Sequence, residues 1–261
     1  MPPLRKQADV GARWLNCGRR LFKRNPGRLT GMGLAAAALI TVLALIPFAG
    51  GLLIGLAAPI LLASACLAID PLSRTKAPVP SARRMAELKQ GPAALVAVFS
   101  DEAHMGPAVV AGGYGLVVTL LISILVRFLA GGAWEVPWGG LDLLSLIVVL
   151  ATALLALALY GVLAASLIYA LPLVLLQDEA LVPAVRQSLK AAARYPFAVM
   201  TVLALPLAPF ALGALAAYLA PLLTYLFWLL GGALAFPFAA TGAYCSYRTL
   251  FPVEQAQRAA G

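Results

Sequence analysis

Three long stretches of the chain carry no Asp, Glu, Lys or Arg. Leu29–Ile69 spans 41 residues, Leu143–Gln177 spans 35 and Tyr195–Tyr247 spans 53. A helix rises ~1.5 Å per residue, so a bilayer core of ~30 Å takes about 20 apolar residues. The first run therefore predicts two helices with a tight turn near Pro47-Phe48-Ala49-Gly50-Gly51. The last predicts two more, turning near Tyr218-Leu219-Ala220-Pro221. Ala108–Val126 supplies another span. Leu143–Gln177 is too long for one upright span and too short for two with a turn. It predicts one helix that tilts or projects beyond the membrane, interrupted at Pro172. The expected fold is all-α: a polytopic membrane protein with six transmembrane helices arranged as three hairpins.

A shorter pattern precedes the hairpins. Val10, Trp14, Cys17, Gly18, Leu21 and Phe22 share one helical face, while Arg13, Arg20, Lys23 and Arg24 lie on the others. Pro26 ends that helix. Val182, Val185, Leu189 and Ala192 repeat the apolar face, with Arg186, Lys190 and Arg194 polar and Pro196 following. A fainter copy holds Leu95, Val98 and Phe99 before Pro107. The repeating unit is an amphipathic interfacial helix, a proline and a membrane hairpin. The expected organisation is a single integral-membrane domain over 1–261. Residues 1–28 form a cytoplasmic amphipathic segment, 29–69 hairpin 1, 70–106 a cytoplasmic loop and 107–177 hairpin 2. A second amphipathic segment covers 178–195, hairpin 3 covers 196–247, and 248–261 is a cytoplasmic tail.

Composition agrees with the pattern. The chain is 62% hydrophobic and only 11% charged, with a mean hydropathy of +0.94; a soluble domain carries about 25% charged residues. Charge sets the orientation. Residues 1–28 hold eight Lys/Arg, 70–106 hold five, 178–194 hold three and the tail holds two, whereas the opposite-side turns hold only Arg127. Eighteen against one is a strong positive-inside asymmetry, so both termini are expected in the cytoplasm of a bacterial inner membrane. Reading 143–177 as two spans would put Arg186, Lys190 and Arg194 outside, which favours one. The long basic N-terminus, followed by a hairpin-length apolar run, argues against a cleavable signal peptide. The pI of about 9.8 is assigned to the anionic inner leaflet rather than to nucleic acid. Cys17, Cys66 and Cys245 all fall near the cytoplasmic side. An odd count in a reducing compartment argues against a disulfide framework, and the three are expected to be small packing residues.

Several segments are familiar. Gly11-Ala12-Arg13-Trp14-Leu15, Gly18 and Leu21-Phe22-Lys23-Arg24-Asn25-Pro26 resemble the N-terminus of an uncharacterised proteobacterial family of six-helix inner-membrane proteins. Leu45-Ile46-Pro47, Ala58-Pro59-Ile60, Leu171-Pro172-Leu173-Val174 and Ala184-Val185-Arg186-Gln187-Ser188-Leu189-Lys190 are similar too. So is the close, from Pro237 to Ala243-Tyr244-Cys245-Ser246-Tyr247-Arg248-Thr249-Leu250-Phe251. The resemblance covers nearly the whole chain. It extends more weakly to the membrane-anchor domain of some bacterial glycerophosphodiester phosphodiesterases, whose catalytic domain this chain lacks. It implies fold and location, and no activity.

Catalytic chemistry is thin, and the chain is expected not to be an enzyme and to hold no cofactor or metal. The single histidine sits in Ser100-Asp101-Glu102-Ala103-His104, whose simpler reading is a solvated acidic helix end. CxxC, HExxH, GxSxG and Walker patterns do not occur. Coupled transport needs ionisable groups inside the membrane, and none lies deep in a span; Arg127, with Glu135 and Asp142, marks the outer face. Pro59, Pro206, Pro209 and Pro237 fall within spans, and broken helices can frame a binding site. Gly51-xxx-Gly55 and Gly161-xxx-Ala165 fit close helix approach. The candidate contact set is Arg13, Trp14, Arg19, Arg20, Lys23, Arg24 and Arg28, with Trp14 and Phe22 at headgroup depth. The expected partners are the bilayer, its anionic phospholipid headgroups, and a protein partner or a second copy of the chain. The rival reading is a transporter of lipid or a small apolar solute built on the fifth and sixth helices.

Overall fold

The structure is a computed structural model, and it describes residues 3–46, 49–74, 84–99, 102–130, 143–216 and 221–252. All regular structure among them is helical: α1 Leu4–Arg24, α2 Pro26–Ala44, α3 Gly50–Arg74, α4 Arg84–Val96, α5 Glu102–Ala130, α6 Leu143–Gln177, α7 Leu181–Arg194, α8 Pro196–Ala216, α9 Pro221–Leu226 and α10 Gly232–Leu250. A short 3-10 turn, Ala97–Phe99, follows α4, and a π-helical turn, Phe227–Gly231, joins α9 to α10.

Five stretches of described helix are long and apolar enough to cross a membrane: Pro26–Ala44, Gly50–Arg74, Glu102–Leu129, Leu144–Gln177 and Thr224–Leu250. The sixth expected span falls on α8, where the side chains of 205–207, 209–211 and 213–216 lie outside the described residues. Large apolar side chains such as Leu121, Ile124, Phe128, Ile147 and Leu154 stand exposed on these helices. A contiguous apolar surface of that kind is covered by lipid in a multi-pass membrane protein.

The two basic helices end the same way. The residue before a proline is pushed out of the α region. Asn25 closes α1 at φ −131°, ψ 57°, and Tyr195 closes α7 at φ −132°, ψ 55°. Pro26 and Pro196 then open α2 and α8 at the first helical position, where a missing N–H costs nothing. The sequence repeat is thus a repeat of backbone geometry. Its faint middle copy is different: α4 lays Gly91, Ala94 and Leu95 against α2 rather than presenting a basic amphipathic face.

Buried side chains collect at one end of the helix bundle. One cluster joins Trp14, Tyr169, Leu173, Val199, Val202 and Tyr247 across α1, α6, α8 and α10. A second joins Leu21, Leu29, Met32, Leu61, Ile69 and Tyr244 across α1, α2, α3 and α10. Neighbouring long helices pack antiparallel: Gly112 lies against Ile60 and Thr119 against Gly55 between α5 and α3, and Gly33 meets Pro237 where Ala37 meets Gly232 between α2 and α10.

α6 is one unbroken helix through Pro172, which corrects the expected interruption. At ~1.5 Å per residue its 35 residues reach about 52 Å, well past a bilayer core. Residues 166–175 are buried in protein on every side, which is why that segment is apolar all round. One turn before the proline, α7 enters the α6 ladder. Ser188 Oγ accepts from the Tyr169 N–H at 3.2 Å and donates to the Ala165 carbonyl at 2.7 Å, so it bridges the two groups of an i→i−4 pair. α6 then stops with Asp178 at φ 54° and the Glu179 N–H on the Leu173 carbonyl, a left-handed cap that Asp tolerates.

The expected small-residue pairs act differently from their spacing. A Cβ on Gly51 would meet nothing within 4 Å, and one on Gly161 only Met200 Cε at 3.8 Å. Gly55 does meet α5, where a Cβ on Gly115 would stand 2.6 Å from the Gly55 carbonyl. Backbones also approach closely between Gly31 of α2 and Gly91 of α4, where a Cβ on Gly91 would lie 2.6 Å from the Gly31 Cα, and where Gly33 of α2 seats on the Ala233 carbonyl of α10. Helix also continues through Pro59, Pro206, Pro209 and Pro237, so the prolines do not break the spans. The irregular backbone is instead the π turn at Phe227–Gly231.

Candidate functional site

α1 lies along α10 and α8 at the end of the bundle where α3, α6 and α10 finish. Its buried stripe is Gln7, Gly11, Trp14, Gly18, Leu21 and Asn25, spaced by three and four residues. Gly18 is where it comes closest: a Cβ there would stand 2.9 Å from Thr241 Oγ1 and 3.0 Å from the Gly242 nitrogen. At its start the Gln7 side chain accepts from the Phe197 N–H at 3.2 Å, satisfying one of the orphan donors that open α8. The apolar face of α1 therefore packs on protein. Trp14 is 2% exposed and sits edge-on to Tyr195, with ring centroids 6.2 Å apart. Its indole is thus covered by protein rather than open to headgroups. Phe22, half-buried, stacks on Phe238 at 4.6 Å.

A second correction concerns the cysteines. Cys17 of α1 and Cys245 of α10 are joined as a disulfide, with their Cα atoms 6.1 Å apart, and Cys66 alone is a free thiol, buried in α3. The expectation of three packing residues failed because it weighed compartment and count, and neither reveals that α1 folds back onto α10.

Burying one face of α1 leaves its basic residues around two cavities. The larger has a volume of about 880 Å³ and is lined by Arg13, Arg19, Arg20 and Lys23, with Trp14, Tyr195, Thr249 and Leu250 among its walls. The smaller, about 360 Å³, is lined by Arg20, Arg24 and Arg248 together with Ser73 and Tyr244. Among the described residues neither lining contains Asp or Glu. Asp70, beside the smaller cavity, is already engaged: Tyr244 Oη donates to Asp70 Oδ1 at 2.8 Å, and Arg74 pairs with Asp70 Oδ2 at 2.6 Å. Ser73 Oγ donates to the Asp70 carbonyl at 2.7 Å and lies 2.9 Å from Tyr244 Oη. These hydroxyl protons are taken up internally, so attraction for an anion falls to the guanidinium groups.

Of the seven candidate residues, five line the larger cavity and Arg24 joins Arg20 at the smaller. Arg28 lines neither; its Nε is buried between helices without a hydrogen bond. Sequence reading missed Tyr195, Ser73, Tyr244, Arg248 and Thr249, which reach the site only through tertiary packing. Glu102 and His104 lie in the first turn of α5, while Asp101, Glu135 and Asp142 lie outside the described residues.

A third cavity, about 400 Å³, lies among the long helices. Its lining is apolar, with Ile40, Ile54, Leu62, Val202, Trp228 and Phe236 among its walls, and Trp228 belongs to the π turn.

No family model, curated protein or solved structure matches the chain.

Proposed function

We propose that this chain is a non-enzymatic, six-span inner-membrane protein with both termini cytoplasmic, whose cavity beneath α1 binds anionic phospholipid headgroups. The orientation rests on the eighteen-to-one charge asymmetry, and the compartment also on the resemblance to six-helix inner-membrane proteins. The lipid reading is carried by one observation: four basic side chains converge on a cavity of about 880 Å³ whose lining, among the described residues, holds no acidic residue. Phosphate groups are the abundant anions at an inner-leaflet surface, and each Lys or Arg there contributes about 1 kcal/mol.

The double variant Arg19→Gln with Lys23→Gln is expected to weaken binding of a single-phosphate anionic lipid by about 2 kcal/mol, roughly thirtyfold. Native mass spectrometry of the full-length protein in neutral detergent measures this. Unchanged lipid occupancy, with thermal stability intact, overturns the reading.

The apolar cavity favours a second reading, passage of a lipid chain or small apolar solute among α2, α3, α8 and α10. Among the described residues its walls offer no ionisable group, so the path would be uncoupled to protons. Ala58, exposed at this cavity, is the place to fill it. Ala58→Phe is expected to slow transfer of a fluorescent lipid between the leaflets of proteoliposomes at least several-fold. Wild-type protein that moves lipid no faster than empty vesicles ends this reading.

A further inference from the structure

The larger and smaller basic cavities are adjacent, and three residues line both: Cys17, Arg20 and Thr249. Each holds its own cations besides, Arg13, Arg19 and Lys23 on one side, Arg24 and Arg248 on the other. The smaller cavity has the volume of roughly a dozen waters at ~30 Å³ each, ample for one phosphate group. The spacing between the cavities is held by the seat of Gly18 on Thr241 and Gly242. Resting on the headgroup reading above, we propose that the two cavities form one composite site for a lipid that carries two phosphate groups in a single headgroup, with Arg20 between them.

Two features favour one doubly charged ligand over two independent anions. First, Arg20 borders both cavities, so its charge serves both phosphates of one molecule without being divided between competitors. Second, two phosphates on one short linker bind the second cavity intramolecularly, which raises affinity without any new contact; the close packing of α1 on α10 at Gly18 keeps the geometry pre-organised for that linker. The lipid origin of the phosphates follows from the place of the site. α1 passes through Asn25 directly into the membrane-crossing helix α2, and Trp14, Leu21 and Leu250 give the cavities apolar walls.

The test titrates short-chain lipids into the full-length protein in neutral detergent, read by native mass spectrometry. One carries two phosphates, one carries a single phosphate at matched total charge, and one is zwitterionic. A fourth arm uses inorganic pyrophosphate. The two-phosphate lipid is expected to bind at least about tenfold more tightly than the single-phosphate lipid. Arg248→Gln is expected to remove that preference, Arg248→Lys to retain part of it, and Arg186→Gln, on α7 away from both cavities, to leave it intact. Arg24→Gln is the second route to the smaller cavity should Arg248→Gln lose its fold. Equal affinity for the two anionic lipids overturns the composite site while leaving the headgroup reading in place. Binding of neither above the zwitterionic lipid overturns both. Pyrophosphate binding as tightly as the two-phosphate lipid assigns the site to a soluble anion and overturns the lipid.

Discussion

Gly31→Ala is expected to destabilise the protein by about 3 kcal/mol, lowering its thermal midpoint by roughly 10 °C, whereas Gly51→Ala is expected to leave it level or raise it. Both substitutions gain up to about 1 kcal/mol of helix propensity, so packing decides the sign. At Gly51 the new methyl group meets nothing within 4 Å. At Gly31 it would run into the Leu88 carbonyl oxygen and stand 3.2 Å from the Gly91 Cα. Those are backbone atoms of α4 and cannot rotate away. α4 must back off, opening the cluster in which Ala94 and Leu95 pack with Leu29, Met32 and Leu61. The buried thiol of Cys66 provides the readout, through the temperature at which it reacts with a thiol-specific dye. Equal midpoints for the two variants would mean that α4 does not dock on α2 as described.

Cys17→Ser, or reduction of the wild-type protein, is expected to cost about 2–4 kcal/mol. The bond closes a sequence separation of 228 residues, and a loop that long places the chain-entropy contribution near the top of the usual range. Membrane-inserted helices retain order in the unfolded state, which pulls the value down, so the middle of the range is the expectation. The loosened element is α1, left with its Gly18 seat and the Gln7–Phe197 hydrogen bond. Limited proteolysis in the segment 13–24 should quicken on reduction, and denatured, unreduced protein should titrate one thiol rather than three. Three thiols in oxidised protein would refute the crosslink. The positive-inside reading puts this bond on the reducing side of the membrane. Thiol labelling is therefore expected to find the pair open in intact cells and closed after purification in air.

Much of the fold was legible because hydropathy and helical rise are properties of the chain alone. The lengths of the uncharged runs fixed the positions of α2, α3, α5 and α6, and the proline rule fixed where α1 and α7 end. The repeat of basic helix and proline was visible for the same reason. Leu143–Gln177 was the ambiguous case. Its uniform apolarity reads the same whether lipid or protein surrounds it, and only packing shows that residues 166–175 are enclosed by α3, α5, α7 and α10.

The site was half legible. Arg13, Arg19, Arg20, Lys23 and Arg24 stood out as charge beside a span, since charge density is local in sequence. Tyr195, Ser73 and Tyr244 carry no such signal, and Arg248, though it follows a span, carries none that points to α1, because their proximity to α1 depends on a return of the chain over many helices. Trp14 shows the limit of reading by residue type. An aromatic on an amphipathic helix faces either headgroups or protein, and the decision belongs to whatever covers that face. Here α8 and α10 cover it.

The sequence by itself determined that the protein is helical, multi-pass and strongly asymmetric in charge, since burial of backbone in lipid leaves the helix as the solution for such apolar runs. Tertiary structure alone decided that α1 docks on α10, that Cys17 finds Cys245, and that the basic residues surround cavities instead of lying flat on a surface. The physical reason is the same in each case. Hydrophobicity and charge act wherever the residue is, while a crosslink, a glycine contact or a cavity exists only when two distant segments meet.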